Sequence, residues 1–134
     1  MAVPYRAGYA VVDAFVPMNI IVQGHSLAFE NFVIAGGQLL LPGSVLGLVT
    51  ATNKLVLSAA AAGDGSQVPM AILLEPLATY DVDGTTARDT PFKVLVHGFV
   101  NPQALQLGAR HTIATVKPLL RTNGIYIETA HYSG

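Results

Sequence analysis

Between Gly36 and Leu77, short segments rich in Val, Leu and Ile alternate with Gly, Pro, Asn and Asp-Gly punctuation. That pattern describes short strands joined by tight turns rather than helices. The run Leu41-Pro42-Gly43-Ser44-Val45-Leu46-Gly47 opens it, and Gly63-Asp64-Gly65-Ser66-Gln67-Val68-Pro69-Met70-Ala71-Ile72-Leu73 follows. The glycines have a physical reason: each permits φ > 0 or close backbone approach at a turn that a side chain would obstruct. Whatever the rest of the chain does, it is built on a β core.

A chain of 134 residues is within the size of one domain and long enough to bury a real core. Charged residues make up 11% and apolar residues 51%, against about 25% charged in an ordinary soluble domain. So little charge implies that partners cover part of the surface. The longest apolar runs, Leu55 to Ala62 and Val68 to Leu74, fall far short of the roughly 18 residues of a membrane span. At the N-terminus Pro4, Asp13 and Pro17 interrupt any apolar signal core, so the chain is expected to be unprocessed. The absence of cysteine excludes disulfides and thiolate metal sites and fits a reducing compartment. A net charge of -1 offers no footprint for direct nucleic-acid binding.

Residues 1–19 read as an N-terminal arm and residues 20–134 as the β domain. The arm contains Pro4, Gly8 and Pro17, and its Ala10-Val11-Val12 and Phe15-Val16 pieces are too short to build a core. A frayed terminus is the plain reading; the apolar content favours a segment that orders by adding a strand to another chain's sheet edge. Ile20-Ile21-Val22 and Phe32-Val33-Ile34 are candidate strands, and Glu75 to Lys93 is a polar loop or wide hairpin. Phe92 to Val100 is apolar on both alternating faces apart from Lys93 and His97, which predicts a strand buried on both sides, or buried on one side and contacting a neighbouring subunit on the other. Asn101-Pro102 starts a short helix that Gly108 can stop within two turns. A second helix is predicted over about Val116 to Thr122 with Thr115 as N-cap, because Pro118 is tolerated only in a first turn. Asn123-Gly124 caps that helix, and Ile125-Tyr126-Ile127 returns as a strand.

Taken in order, Pro42 to Thr50, Leu55 to Leu57, Ala59 to Ala62, Asp64 to Pro69 and Ala71 to Leu73 form five pieces. They are a P-G-S-V-L-G strand, a short second strand, an alanine-rich link, a D-G-S-Q-x-P turn and an A-I-L strand. This order resembles the phage-lambda-type head decoration (capsid-stabilising) proteins, the protein D family. Gly37, Leu40, Gly43, Val45, Leu46 and Gly47 stand at the family's glycine-and-leucine positions, and Gly124 to Ile127 matches its closing segment. The resemblance spans about Ile20 to Ile127. Two stretches depart from it: Glu75-Pro76-Leu77 stands where an acidic segment is usual, and residues 1–19 align with no family motif.

Catalytic chemistry has little support. His25, His97, His111 and His131 match no metal-ligand spacing. Asp81-x-Asp83-Gly84 places its glycine fourth and Phe92 twelfth, unlike a calcium loop. Ser44 and Ser66 lie in glycine-rich turns without a G-x-S-x-G context. Gly63-Asp64-Gly65 lacks the ending of a phosphate loop. The acids Glu75, Asp81, Asp83 and Asp89, with Arg88, read as a solvated face. No catalytic residue, cofactor or metal is expected, and the chain is expected not to be an enzyme.

The resemblance implies a mainly β fold, a compact β-clip-like barrel of short strands with one or two short helices. It also implies a function: a head decoration protein, made in the bacterial host's cytoplasm, that binds as homotrimers to three-fold sites outside the expanded capsid and stabilises it against DNA pressure. Its partners would be the major capsid protein and its own copies, with no direct nucleic acid and no membrane. In that reading Val11, Val12, Phe15, Val16, Ile20, Ile21 and Val22 form the capsid-binding arm, while Pro42, Val94, Val96 and Phe99 lie between subunits. The alternative is a structural β module of a phage tail or neck assembly. A small-ligand or hydrolytic β-clip enzyme is the third reading, and the lack of a clustered titratable constellation weighs against it.

Overall fold

The computed structural model describes residues 20–22 and 25–128. Eight strands are described: β1 (Ala28–Ile34), β2 (Leu39–Leu40), β3 (Val45–Val49), β4 (Lys54–Leu57), β5 (Pro69–Ile72), β6 (Leu77–Ala78), β7 (Thr90–Val100) and β8 (Ile125–Ile127). The α-helix α1 spans Ile113–Thr122, and Pro102–Ala104 forms a 3-10 turn. The main sheet runs β1-β4-β3-β5-β7-β8, and β1 also pairs with β7. That extra pairing closes β1, β4, β3, β5 and β7 into a small barrel, as the mainly β expectation required. Most ladders are antiparallel; β1 with β4 and β7 with β8 are parallel. The short strands β2 and β6 form a separate two-stranded ribbon.

Closure gives the barrel an inside and an outside, and both faces of its central strands are buried. The neighbours Val45 and Leu46, Ala71 and Ile72, and Val94 and Leu95 have no exposed surface, yet successive strand residues point to opposite faces. Leu46, Ala71 and Val94 join Ile34 and Leu55 in a cluster fed by all five barrel strands, which is the interior. Val45, Ile72 and Leu95 point the other way, into a second cluster with Ile20, Val116, Leu120 and Ile125. The middle of β7, at Val94 and Leu95, is therefore buried on two sides within one chain, whereas Phe92, Val96, His97 and Phe99 stay half-buried.

Gly47 shows how tightly the turns sit on this sheet. A Cβ there would stand 2.0 Å from the Ser66 carbonyl oxygen, so a side chain would push the Asp64 to Gln67 turn off β3.

The helices differ from expectation in two places. The turn after Asn101 begins as predicted, the Asn101 side chain accepting from the Gln103 amide at 3.1 Å. It ends after one turn because the next residues pair elsewhere: Gln106 exchanges backbone hydrogen bonds with Gly43 and Val45 at 2.9 and 3.0 Å. The second helix starts three residues earlier than its proline suggested. Thr112, not Thr115, is the N-cap, and the two threonines cap each other reciprocally. Pro118 thus lies inside α1, where it removes the hydrogen bond to the Ala114 carbonyl. Ala114 and Pro118 are both exposed, so the freed carbonyl lies on the solvent side of the helix. Gly124, at φ 93°, supplies the left-handed end that Asn123-Gly124 predicted.

Candidate functional site

Among the described residues no pocket gathers converging titratable groups, so the candidate site is a set of surfaces, and the residues singled out from sequence fall at three places. Of the arm residues, Val11, Val12, Phe15 and Val16 lie outside the described residues. Ile20, Ile21 and Val22 are buried against their own chain. The Val22 amide donates to the Phe99 carbonyl at 2.9 Å and the Asn101 amide to the Ile20 carbonyl at 2.7 Å, with Ile21 bridged antiparallel to Val100. This short segment lies along the end of β7 opposite β8, and Ile20 fills part of the outer core.

The second place is an aromatic ladder beside that segment. The His25 ring stacks on Phe99 at 3.7 Å and 17°, Phe99 stacks on Tyr126 at 4.9 Å, and His97 meets Tyr126 edge-on at 6.4 Å. Glu128 lies 3.5 Å from His25 Nε2. Residues from the chain entering the domain, from β7 and from β8 are thereby held together, and Phe99 keeps one half-exposed side. Val96 is also half-buried and packs against the barrel interior, whereas Val94 has no exposed surface and contributes packing within its own chain only.

The third place is the loop at Pro42, between β2 and β3. Strand alternation sends Leu40 into the barrel core and leaves Leu39 and Leu41 outside, 77% and 59% exposed. Two open recesses flank them. One of about 290 Å³ is lined by Leu39, Leu40, Leu41, Pro76, Leu77 and Ala78. The other, about 510 Å³, includes Leu41, Pro42, Ile20 and Ala104 with the amides Asn101, Gln103 and Gln106. Sequence reasoning placed Pro42 at a surface but missed the leucines. The signal was present: three consecutive leucines cannot all face one side of a strand.

The structure also assembles a Ser–His contact that spacing could not reveal, since Ser58 and His111 are 53 positions apart. Ser58 Oγ lies 3.1 Å from His111 Nε2, and the same nitrogen lies 3.1 Å from the Gln67 carbonyl. A carbonyl only accepts, so Nε2 carries the hydrogen, while the Ser58 hydroxyl donates to the Ser66 carbonyl at 2.6 Å. The imidazole therefore holds no lone pair toward Ser58, which is fully buried. This pair is a clasp: with Thr115 Oγ1 at 3.1 Å from Nδ1, His111 ties the turn at Ser66 and Gln67 to the first turn of α1.

The acids of the polar hairpin serve its shape. Asp83 accepts from the Thr86 hydroxyl and from the Thr86 and Thr85 amides, which lower its pKa to about 2. Asp81 pairs with Arg88 at 3.3 Å. Asp89 pairs with Lys54 and accepts from the Gly36 amide, and these contacts lower its pKa. Among the described residues no group of three His, Asp or Glu side chains is placed to hold a metal ion, and no helix is long and apolar enough to cross a membrane.

Comparison with known proteins places the chain in a family. Residues 20–120 match the family model described as bacteriophage lambda head decoration protein D. No curated protein matches the chain. The matched span starts at the buried Ile20 and includes the whole barrel and most of α1.

Proposed function

This chain belongs to the bacteriophage lambda head decoration protein D family, a structural family of the outer phage capsid, and from that premise we propose how it works. It binds as homotrimers at three-fold sites on the outside of the expanded shell and stabilises the shell against DNA pressure. The mechanism is mass action: a ligand that binds only the expanded lattice stabilises it in proportion to its binding free energy, and many copies add up.

The observation that carries this reading is the family match over residues 20–120. Two features support it. The composition is poor in charge, as expected of a surface that partners cover. The segment Ile20–Val22 is locked to β7, which provides a rigid root for an arm. In this reading Val11, Val12, Phe15 and Val16 add as an extended strand to the major capsid protein, and Ile20, Ile21 and Val22 transmit the load to the barrel. Pro42, Val96 and Phe99 offer surface to neighbouring subunits.

Co-sedimentation with the parent phage's shells, before and after expansion, tests the reading. Saturable binding to expanded shells alone, in multiples of three per three-fold site, is expected. Deleting Met1 to Asn19 is expected to weaken attachment while leaving the thermal unfolding transition in place. Binding to neither shell by the folded protein would move the chain to a tail or neck assembly, and unchanged attachment of the truncated chain would remove the arm's role.

A further inference from the structure

We propose that Asn123 is a site of spontaneous deamidation, held in check by the fold, and that its conversion loosens α1 and β8 from β5. This chemistry belongs to the domain by itself and does not depend on shell binding.

Asparagine is among the chemically least durable side chains, and the residue after it sets how fast it reacts. The backbone nitrogen of that residue attacks the side-chain carbonyl carbon, and glycine, with no Cβ, leaves the nitrogen unhindered. Asn123-Gly124 is the sole Asn-Gly pair in the chain; the other asparagines precede Ile20, Phe32, Lys54 and Pro102. In the reaction the Gly124 nitrogen forms a bond to Asn123 Cγ, the Cγ–Nδ2 bond breaks, and ammonia leaves with the proton that the glycine nitrogen gives up. Water then opens the cyclic imide. Opening on one side gives aspartate, and opening on the other gives an isoaspartyl linkage that routes the main chain through Cβ. The sum consumes water and releases ammonia, with no oxidant or reductant.

Asn123 is exposed, so water reaches it. The folded chain nevertheless keeps both reacting groups engaged elsewhere. Asn123 Nδ2 donates to the Pro69 carbonyl at 2.9 Å and to the Leu119 carbonyl at 3.4 Å, which holds the side chain toward β5 and the last turn of α1. The Gly124 amide donates to the Arg121 carbonyl at 3.1 Å, although it must give up that proton to attack. Reaction therefore waits until the end of α1 opens.

Neither residue is freely exchangeable. Gly124 sits at φ 93°, and a Cβ there would stand 3.0 Å from His97 Nδ1. Asn123 supplies the donor that joins the C-terminal end of α1 to the first residue of β5. The fold thus needs the very pair that the chemistry makes labile.

The product works against the same joint. A carboxylate has no hydrogen to give, so at position 123 it meets the Pro69 and Leu119 carbonyls as acceptor against acceptor. It also places negative charge at the C-terminal end of a helix, where the backbone dipoles disfavour it. The isoaspartyl form adds a main-chain carbon just before Gly124, whose carbonyl accepts from the Gly98 amide at 3.2 Å and so sets β8 beside β7. Opening permits the reaction, and its product favours the open form.

The test is incubation of the full chain in mildly alkaline buffer, folded and in guanidinium chloride, with peptide mass spectrometry reading the exchange of amide for acid at each asparagine. In denaturant, conversion is expected at Asn123 ahead of every other asparagine; in the folded protein it is expected to be at least about tenfold slower. Leu120→Ala, which removes a buried contact of α1, is expected to speed conversion in buffer and leave the rate in denaturant unchanged. Equal rates with and without denaturant, or conversion in denaturant no faster at Asn123 than at Asn53, overturns the proposal. The consequence is read by urea denaturation of Asn123→Asp and Asn123→Ala. Both lose the bonds to Pro69 and Leu119, but only the first adds charge, so the midpoint is expected to fall from wild type to Asn123→Ala and again to Asn123→Asp. An Asn123→Asp variant as stable as wild type would show that conversion loosens nothing.

Discussion

The barrel interior and the layer outside it are both closed to water, but they are put together differently. Leu46, Leu55 and Val94 meet because five strands pair edge to edge, and alternation then points one set of side chains inward. Val45, Ile72 and Leu95 point outward from the same strands and stay dry only because α1, β8 and Ile20 lie over them. The covering pieces come from the two ends of the described chain, and His111 clasps one of them down. The interior is thus a product of sheet closure, whereas the outer core is a product of docking. The segment Ile20–Val22 belongs to the docked layer, so its position depends on the second as much as on the first.

The sharpest way to break this comparison is to cut the same chemistry out of each core. Leu46→Ala and Leu120→Ala each remove a fully buried leucine and are each expected to lower unfolding stability by about 2–5 kcal/mol. Their hydrogen-exchange patterns are expected to differ. Leu120→Ala exposes the amides of α1 and β8 first while β3 to β5 remain protected, and Leu46→Ala lowers protection throughout. Uniform loss in both variants would make the two cores one cooperative unit.

A smaller effect tests the docking alone. Thr112→Ala removes the side chain that accepts from the Thr115 amide, at an expected cost of about 1 kcal/mol. Urea denaturation reads it as a lowered midpoint with an unchanged slope. A null result would mean that the Thr115 half of the cap and the His111 clasp hold the helix start without it.

The smallest effect lies outside both cores. The Asp83 carboxyl is lowered to about 2 by the Thr86 hydroxyl, the Thr86 amide and the Thr85 amide. A depressed pKa means that its contribution to hairpin stability is fully present above the ordinary value of 3.8 and is lost as pH falls through about 2. The Thr86 amide resonance is expected to titrate with that midpoint. Leu120 and Val94 methyl resonances moving with the same midpoint would show that the hairpin is coupled to the cores after all.

Much of the fold could be read along the chain. The strands at Val45–Val49, Lys54–Leu57 and Thr90–Val100 follow from β-branched and leucine-rich pieces between turn residues, and the helix end at Asn123-Gly124 follows from glycine's freedom to adopt positive φ. The helix starts earlier than its proline predicts for an equally local reason: Thr112 and Thr115 cap each other, and a proline on the solvent side of a helix costs one hydrogen bond at an exposed carbonyl. The site was less legible. Ile20–Val22 looked like part of a free arm because nothing near them in sequence reveals the open edge of β7 that accepts them. Val94 and Val96 looked alike, and only their depth in the barrel separates them.

Turn chemistry, apolar alternation and the scarcity of charge determine that this chain is built on short strands and is poor in charge, since each depends on residues within a few positions or on composition alone. Which residues are left at the surface depended on closure. Pairing β1 with β7 decides what is inside, so it also decides that Leu40 is hidden while Leu39 and Leu41 are not, and that Ser58 finds His111. Those outcomes rest on contacts between residues far apart in the chain, and no local preference encodes them.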